Sequence, residues 1–388
     1  MKITDIELYY LALPQITDAA DGTQDTLLVH IGTDAGIEGF GECDASPLVS
    51  MAVYCCPPSH SNIVNIRETI LGETVETPED IRRIQAKVWA RGLDIEQIHH
   101  AYSGADIALW DILGKKRGLP VYRLLGDQKA YPKRPYGSVL FGDTAQQTRE
   151  RAGSLAAAGF RAAKFGWGPM GKGTLDDDVA LVAAARAGMG PDNEVMIDAG
   201  CVWGHDVQTA LLRARRFAEY NITWLEEPFH PHAIEAYGRL AEQSPVRLAG
   251  GEGSNTVRFA EDLLMHGGVS FVQIDAGRIG GITPAHDVRR LAEKHGAIYV
   301  NHTFKSKLSL AAAMHVFAGV ERFVYLEYPQ SGSPLAENLC KPCLQPGSDG
   351  LVRLTEAPGL GVDIDADTVK RFRRPVRIEV DGKTLLEA

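Results

Sequence analysis

From about residue 134 the chain settles into one rhythm: a short apolar run, a turn, a helix-like stretch, and the next apolar run. The runs RPYGSV, FRAAKF, EVMIDA, ITWLEEP, VRLAGGE, SFVQIDA, AIYVNHTF and FVYLEY read as buried strands. Two of the intervening helices carry their own punctuation. Thr144 with Gln147 forms a capping-box pattern before a helix that Gly159 closes, and Thr283-Pro284 opens one that Gly296 closes. Strand and helix alternating eight times over roughly two hundred residues predicts an α/β barrel in preference to a doubly wound sheet.

The residues before this barrel follow a different pattern. KITDIELYYLAL alternates loosely, and TLLVHIGTDAGIEGFGEC reads as two strands joined by a glycine-containing hairpin. Two polar, turn-rich stretches, around 14–25 and 46–62, read as loops able to cover a binding site. Helices follow. TPEDIRRIQAKVWARGL has Thr77 as N-cap and Pro78 at the first helical position, with Glu79 and Asp80 in the first turn. SGADIALWDILGKKRGLP is predicted to start at Ser103, to bury Ile107, Trp110 and Leu113, and to stop at Gly118 and Pro120. Asp106 and Asp111, five apart, do not share a helix face, which predicts capping or surface roles for both. The tail from 351 returns to strand-like pieces such as RRPVRIEV. The expected organisation is a first domain over 1–128, a barrel over 129–350, and a segment over 351–388 that returns to the first domain.

Composition narrows the partners. A chain of 388 residues, 45% hydrophobic and 23% charged, has the make-up of a globular protein too long for one compact core. The net charge of −10 argues against nucleic acid or an anionic membrane as partner. No apolar stretch is long enough to span a bilayer, and MKITDIELYY lacks the form of a signal peptide. Six cysteines, including an isolated Cys340-x-x-Cys343, make no disulfide framework. A reduced, cytoplasmic protein is expected.

The chemistry lies at the strand ends. Asp198, Glu226 and Glu252 close consecutive runs and lie 28 and 26 residues apart, about one strand–helix unit each. Three adjacent units of a barrel open onto one face, so these carboxylates meet there. Crowded carboxylates repel unless a hard divalent cation is shared among them, which points to Mg2+. Reading on, Lys164, Asp275, His302 and Glu327 end the other strands from the second to the eighth. Burying seven titratable groups on one face is costly as a device for stability. Glu226 and Glu227 are neighbours on a strand and face opposite ways, and parity alone leaves open which is a ligand. His205, His230 and His232 follow strand ends but are expected at the surface. GWGPMGKG, after Lys164, reads as a loop over the site with Trp167 against substrate; neither it nor GRIGGIT has the full glycine fingerprint of a nucleotide site.

SGADIALWDILGKKRGLPVYRLLG, FRAAKFG, MIDAG, WLEEP, AGGE, VQIDAGRIGG, NHTF and YLEY, in this order, resemble the enolase superfamily and its mandelate racemase-like branch. The resemblance implies an α+β capping domain over a modified (β/α)7β barrel, usually in a homo-oligomer. It implies Asp198, Glu226 and Glu252 as Mg2+ ligands, with Glu226 chosen over Glu227, an Asp275–His302 acid/base pair, and Glu327 as a carboxyl near the substrate. Such enzymes abstract the proton α to a carboxylate, and the metal stabilises the enediolate.

One position departs from the branch. A Lys-x-Lys motif often ends its second strand, whereas here the residues are Lys164-Phe165-Gly166. No second base stands opposite His302, which disfavours a two-base racemase. Lys164 remains to polarise the substrate carboxylate, with action as a base itself the lesser alternative. Dehydration of a sugar acid to a 2-keto-3-deoxy acid, with His302 handling both protons, is the expected reaction. The alternatives are a racemase, epimerase or cycloisomerase on the same scaffold, and a non-catalytic protein that binds a metal and a sugar acid.

Overall fold

The computed structural model describes residues 1–60, 62–330 and 332–388. The chain opens with an antiparallel sheet of β1 (Ile3–Ala12), β2 (Asp25–Thr33) and β3 (Glu38–Cys43), in that order. Helices α1 (Pro47–Cys55), α2 (Ile66–Ile70), α3 (Pro78–Arg91), α4 (Ile98–Arg117) and the short α5 (Val121–Leu124) follow. Thr77 caps α3 as expected: its Oγ1 accepts from the Asp80 N–H and the Asp80 carboxylate accepts from the Thr77 N–H.

Three expectations in this region are corrected. Residues 47–55, read as loop, form α1, because Met51, Tyr54 and Cys55 supply a buried face and Pro47 fits a helix start. Residue 61 of that expected loop lies outside the described residues. Helix α4 begins at Ile98 rather than Ser103, whose hydroxyl donates to the His99 carbonyl and accepts from the Gly280 N–H. Asp106 and Asp111 are neither caps nor surface groups but buried. Asp106 accepts from the N–H and hydroxyl of Thr283, and Asp111 from the N–H groups of Phe40 and Leu360. Residues 101–114 of helix α4 are buried on all sides because the helix lies between the sheet and the barrel. On the sheet side, a Cβ on Gly41 would stand 2.0 Å from the Gly104 carbonyl oxygen, so the glycines of β3 permit this approach.

The barrel strands are β4 (Arg134–Leu140), β5 (Ala162–Gly166), β6 (Glu194–Asp198), β7 (Leu225–Glu226), β8 (Leu248–Gly250), β9 (Phe271–Ile274), β10 (Ile298–Asn301) and β11 (Tyr325–Pro329). Between them run α6 (Ala145–Ala157), α7 (Leu175–Met189), α8 (Val207–Phe217), α9 (Ile234–Ala241), α10 (Val257–His266), α11 (Ile282–His295) and α12 (Lys307–Phe317). The strands form one parallel sheet from β10 back through β9 to β4 and on to β11, a (β/α)7β barrel. Its two ends are joined by a side chain, since Asn301 accepts from the Glu327 N–H at 2.9 Å and donates to the Glu327 carbonyl.

Two capping details differ from expectation. Thr144 caps α6, but the Gln147 side chain turns to the Asp143 N–H, so the reciprocal box does not close. Helix α11 starts at Ile282 behind Gly281, and Thr283 lies inside its first turn, bound to Asp106.

Inside the barrel, Tyr136, Ala162, Met196, Trp224, Ala249, Phe271, Val300 and Tyr325 form a separate apolar layer. The side-chain period of two places the next inward position of each strand one layer nearer the mouth. Those positions include Lys164, Asp198, Glu226, His302 and Glu327. The capping domain is fastened over this mouth: the buried Glu42 accepts from Ser306 Oγ and from the N–H and hydroxyl of Ser309 at the start of α12. The chain ends with α13 (Pro334–Asn338), β12 (Cys340–Lys341), β13 (Asp363–Ile364), α14 (Ala366–Phe372) and a β14–β15 hairpin (Arg377–Val380, Lys383–Glu387). Arg374 after α14 bonds to the carbonyls of Tyr10 and Leu13, which ties this tail to β1. No helix among the described residues is long and apolar enough to cross a membrane.

Candidate active site

At the mouth, one carboxylate oxygen each from Asp198, Glu226 and Glu252 lie within 4.8 Å of one another. Each is aimed by local structure. Asp198 ends β6 and accepts from the Gly200 N–H at 2.8 Å. Glu226 ends β7 and accepts from the Trp224 indole, two residues earlier in the apolar layer, at 2.9 Å. Glu252 lies just past β8, and Arg278 donates to it at 3.1 Å. Glu227 has a positive φ of 38° and turns to Cys201, whose thiol donates to it at 3.3 Å.

Lys164 stands among these acids. Its ammonium contacts Glu226 at 2.5 Å, Glu327 at 2.8 Å and Asp198 at 3.9 Å. Burial disfavours its charge, but Glu226 and Glu327 outweigh that and hold its pKa well above the usual lysine range. Glu327 is fully buried; Ser138 Oγ donates to one oxygen and the Thr303 N–H to the other. Like Glu226, it does not itself line the cavity that Lys164 borders.

The second cluster is the imidazole pair. His302 Nδ1 donates to Asp275 Oδ2 at 2.6 Å, and Asp275 Oδ1 accepts from the Gly277 N–H at 2.6 Å. His302 Nε2 points at Glu252, 3.3 Å away. Burial works against the imidazolium, but Glu252, Glu327 and the Asp275 bond prevail over it and over nearby Arg278, pushing His302 up to about 10. Both clusters open into a cavity of about 460 Å3. Lys164, Trp167, Asp198, Glu252, Arg278 and His302 line its floor and side. Asp18 to Gly22, from the expected 14–25 loop, form its roof with Phe304. Trp167 has a φ of 56°, is 41% exposed and lays its ring against Gly200. His205, His230 and His232 are exposed, as expected.

The acids fit a divalent cation on the structure's own terms. The three grouped ligands are all carboxylates, the donors a hard cation prefers. Burial and the neighbouring Glu226 push the Asp198 carboxyl well above its usual range, the mark of negative charge packed without enough compensation.

Models for two families match the chain: the mandelate racemase / muconate lactonizing enzyme N-terminal domain over residues 11–126, and an enolase C-terminal domain-like module over residues 147–368. The chain belongs to the mandelate racemase/muconate lactonizing enzyme family. Its relatives include a D-galactarolactone cycloisomerase of Agrobacterium fabrum, 30% identical over 90% of this chain and 91% of that protein. An L-talarate/galactarate dehydratase of Salmonella typhimurium is 29% identical over 84% of this chain and 82% of its own. A crystal structure of a predicted mandelate racemase from Rhodobacter sphaeroides superposes with a TM-score of 0.96 at 42% identity, covering 100% of this chain and 99% of that one.

Within this family's frame, sequence reasoning missed Arg278, Asp44 and Ser138. Arg278 Nε donates to Asp44 at 2.9 Å, and its Nη1 reaches Glu252. The available signal for Arg278 was its place three residues after Asp275, on the turn that leaves the strand. For Ser138 it was register: it lies two residues after Tyr136 in the barrel layer. Asp44 had none, because its partner is 234 positions away.

Proposed function

We propose that this protein is a Mg2+-dependent dehydratase of a sugar acid, an aldonate or aldarate, which it converts to a 2-keto-3-deoxy acid. One observation carries the reading: a single imidazole–carboxylate pair faces the acidic cradle, and the chain has glycine where a second base would stand. A Cβ on Gly166 would lie 2.8 Å from Asp198 Oδ2, so even alanine crowds that position. With a base on one side only, loss of a β-hydroxyl from the side that loses the proton suits the site better than inversion.

Asp198, Glu226 and Glu252 would hold the Mg2+, which when bound supplies electrostatic stabilisation for charge developing on the substrate carboxylate. Lys164, kept charged by Glu226 and Glu327, places an ammonium beside that carboxylate. Asp275 holds the Nδ1 proton of His302; with a cation in the cradle offsetting the Glu252 charge that otherwise keeps Nε2 protonated, Nε2 would be the atom that takes the α-proton and returns it to the departing hydroxyl. Trp167 and the 18–22 loop enclose the rest of the molecule and limit water at the reacting carbons. The related dehydratase supports this substrate class. The related cycloisomerase supports a second reading, ring opening of a sugar-acid lactone, which also needs only one base.

Incubating the enzyme and Mg2+ with a panel of aldonic and aldaric acids in D2O, with semicarbazide detection of keto product, separates these readings. Keto acid formed with loss of one water, and abolished in His302→Asn, is the expected result. Isomerised product that retains the water would replace dehydration with cycloisomerisation. Metal and ligand binding without any α-proton exchange would leave only a binding protein.

A further inference from the structure

The contacts between the metal cradle and the imidazole pair close into a ring that leaves the barrel. Asp275 bonds His302, His302 faces Glu252, and Glu252 accepts from Arg278. Arg278 donates to Asp44. Asp44 groups closely enough with Asp275 and His302 that one ligand atom from each lies within 4.8 Å of the others. Four members belong to the barrel. The fifth, Asp44, follows β3 in the capping domain, and its N–H also donates to the Gly277 carbonyl at 3.0 Å.

We infer that Asp44 is a positioning residue: the capping domain supplies it to fix Asp275 and Arg278, and through them His302 and Glu252. Three observations support this. The Asp44 side chain is 9% exposed, yet Arg278 and Lys305 surround it with compensating charge, the latter at 3.5 Å. Burial alone would raise its carboxyl, but Arg278 and Lys305 reverse that and hold it well below the usual range, so Asp44 is a fixed negative charge. The approach is also tight: a Cβ on Gly277 would meet the Asp44 nitrogen at 2.9 Å and Asp275 Oδ1 at 3.0 Å, so only glycine lets the turn that carries Asp275 lie against Asp44. Seating the capping domain and aiming the base are therefore one event. A carboxylate that orients Arg278 toward a cradle acid behaves as the outer partners of metal ligands do, whose loss typically costs about 10- to 100-fold.

The test is Asp44→Asn, close in shape but uncharged. In 15N-histidine-labelled protein the His302 Nδ1 proton, in its 2.6 Å bond to Asp275, should give a far-downfield resonance that is lost in His302→Ala. In Asp44→Asn that resonance should shift or broaden in protein that circular dichroism shows to be folded, although leaving Arg278 and Lys305 short of a counter-charge lowers the melting temperature. Turnover of any sugar acid accepted by the wild type should fall about 10- to 100-fold, with KM changed less than about threefold. A folded Asp44→Asn protein with an unmoved resonance overturns the assignment. Should that variant not fold, Arg278→Lys keeps the Asp44 charge and its Gly277 contact but removes the fork to Glu252. A displaced resonance there supports the ring, and an unmoved one overturns it. The role rests on the proposed His302 chemistry only for its turnover arm. If no sugar acid is turned over, the resonance still decides the role of Asp44 by itself.

Discussion

Asp106 shows how one side chain reports its surroundings. Burial pushes its carboxyl up to about 7, although the Thr283 hydroxyl and N–H and the more distant Arg82 favour ionisation. The folded state therefore holds a proton that the unfolded chain releases near pH 4. Stability from this group is complete below that pH and is lost as pH rises toward 7. Urea unfolding from pH 4 to 8 should show a steeper decline for wild type than for Asp106→Asn; parallel curves would rule this out. Gly166 makes the opposite kind of statement, since what matters there is a missing side chain. Gly166→Ala would press on Asp198, whose Cβ, Cγ and Oδ2 would all lie within 3.0 Å of the new methyl. Calorimetry should find Mg2+ affinity reduced about tenfold or more with little change in melting temperature.

At the scale of elements, β3 packs closely on α4. Gly41→Ala would drive a methyl into the Gly104 carbonyl, backbone that moves only with the whole helix, and should destabilise by about 1–3 kcal/mol. Gly153 in α6 has nothing within 4 Å of a would-be Cβ, and Gly153→Ala should instead stabilise by about 0.5–1 kcal/mol. Denaturant midpoints of the pair should move in opposite directions. The helices also show where patterns can be read. The caps and stops around α3 and α6 were legible because their partners lie within four residues. The start of α4 was not, because a helix buried on every side needs no polar cap to mark it. Helix α1 was hidden by the prolines and serines on its flanks, which mimic a loop.

For the molecule as a whole, ligand linkage gives a direct check. Mg2+ bound by the folded state alone should raise stability by about 2.7 kcal/mol at a hundredfold excess over Kd, and EDTA should reverse it. Glu226→Gln should abolish that dependence; an unchanged Mg2+ response would remove Glu226 from the cradle. Much of this arrangement is written locally. Alternating apolar runs and helix-like stretches set the barrel, and a period of two puts Lys164, Asp198, Glu226, His302 and Glu327 one layer above the apolar floor. Glu252 and Asp275 lie just past their strands, and were named from their place at the strand ends. The choice between Glu226 and Glu227 was not legible from parity; it follows from Trp224 lying in the apolar floor, which the structure shows. What no local pattern contains is which groups meet across the mouth. Glu327 meets Lys164, Ser138 and the Thr303 N–H, and Asp44 crosses from another domain to reach Arg278. Those contacts depend on how the sheet closes and how the capping domain seats, and they join residues separated by up to 234 positions. Chain order fixes the direction of a side chain within its strand; the company it keeps is settled only when distant surfaces pack.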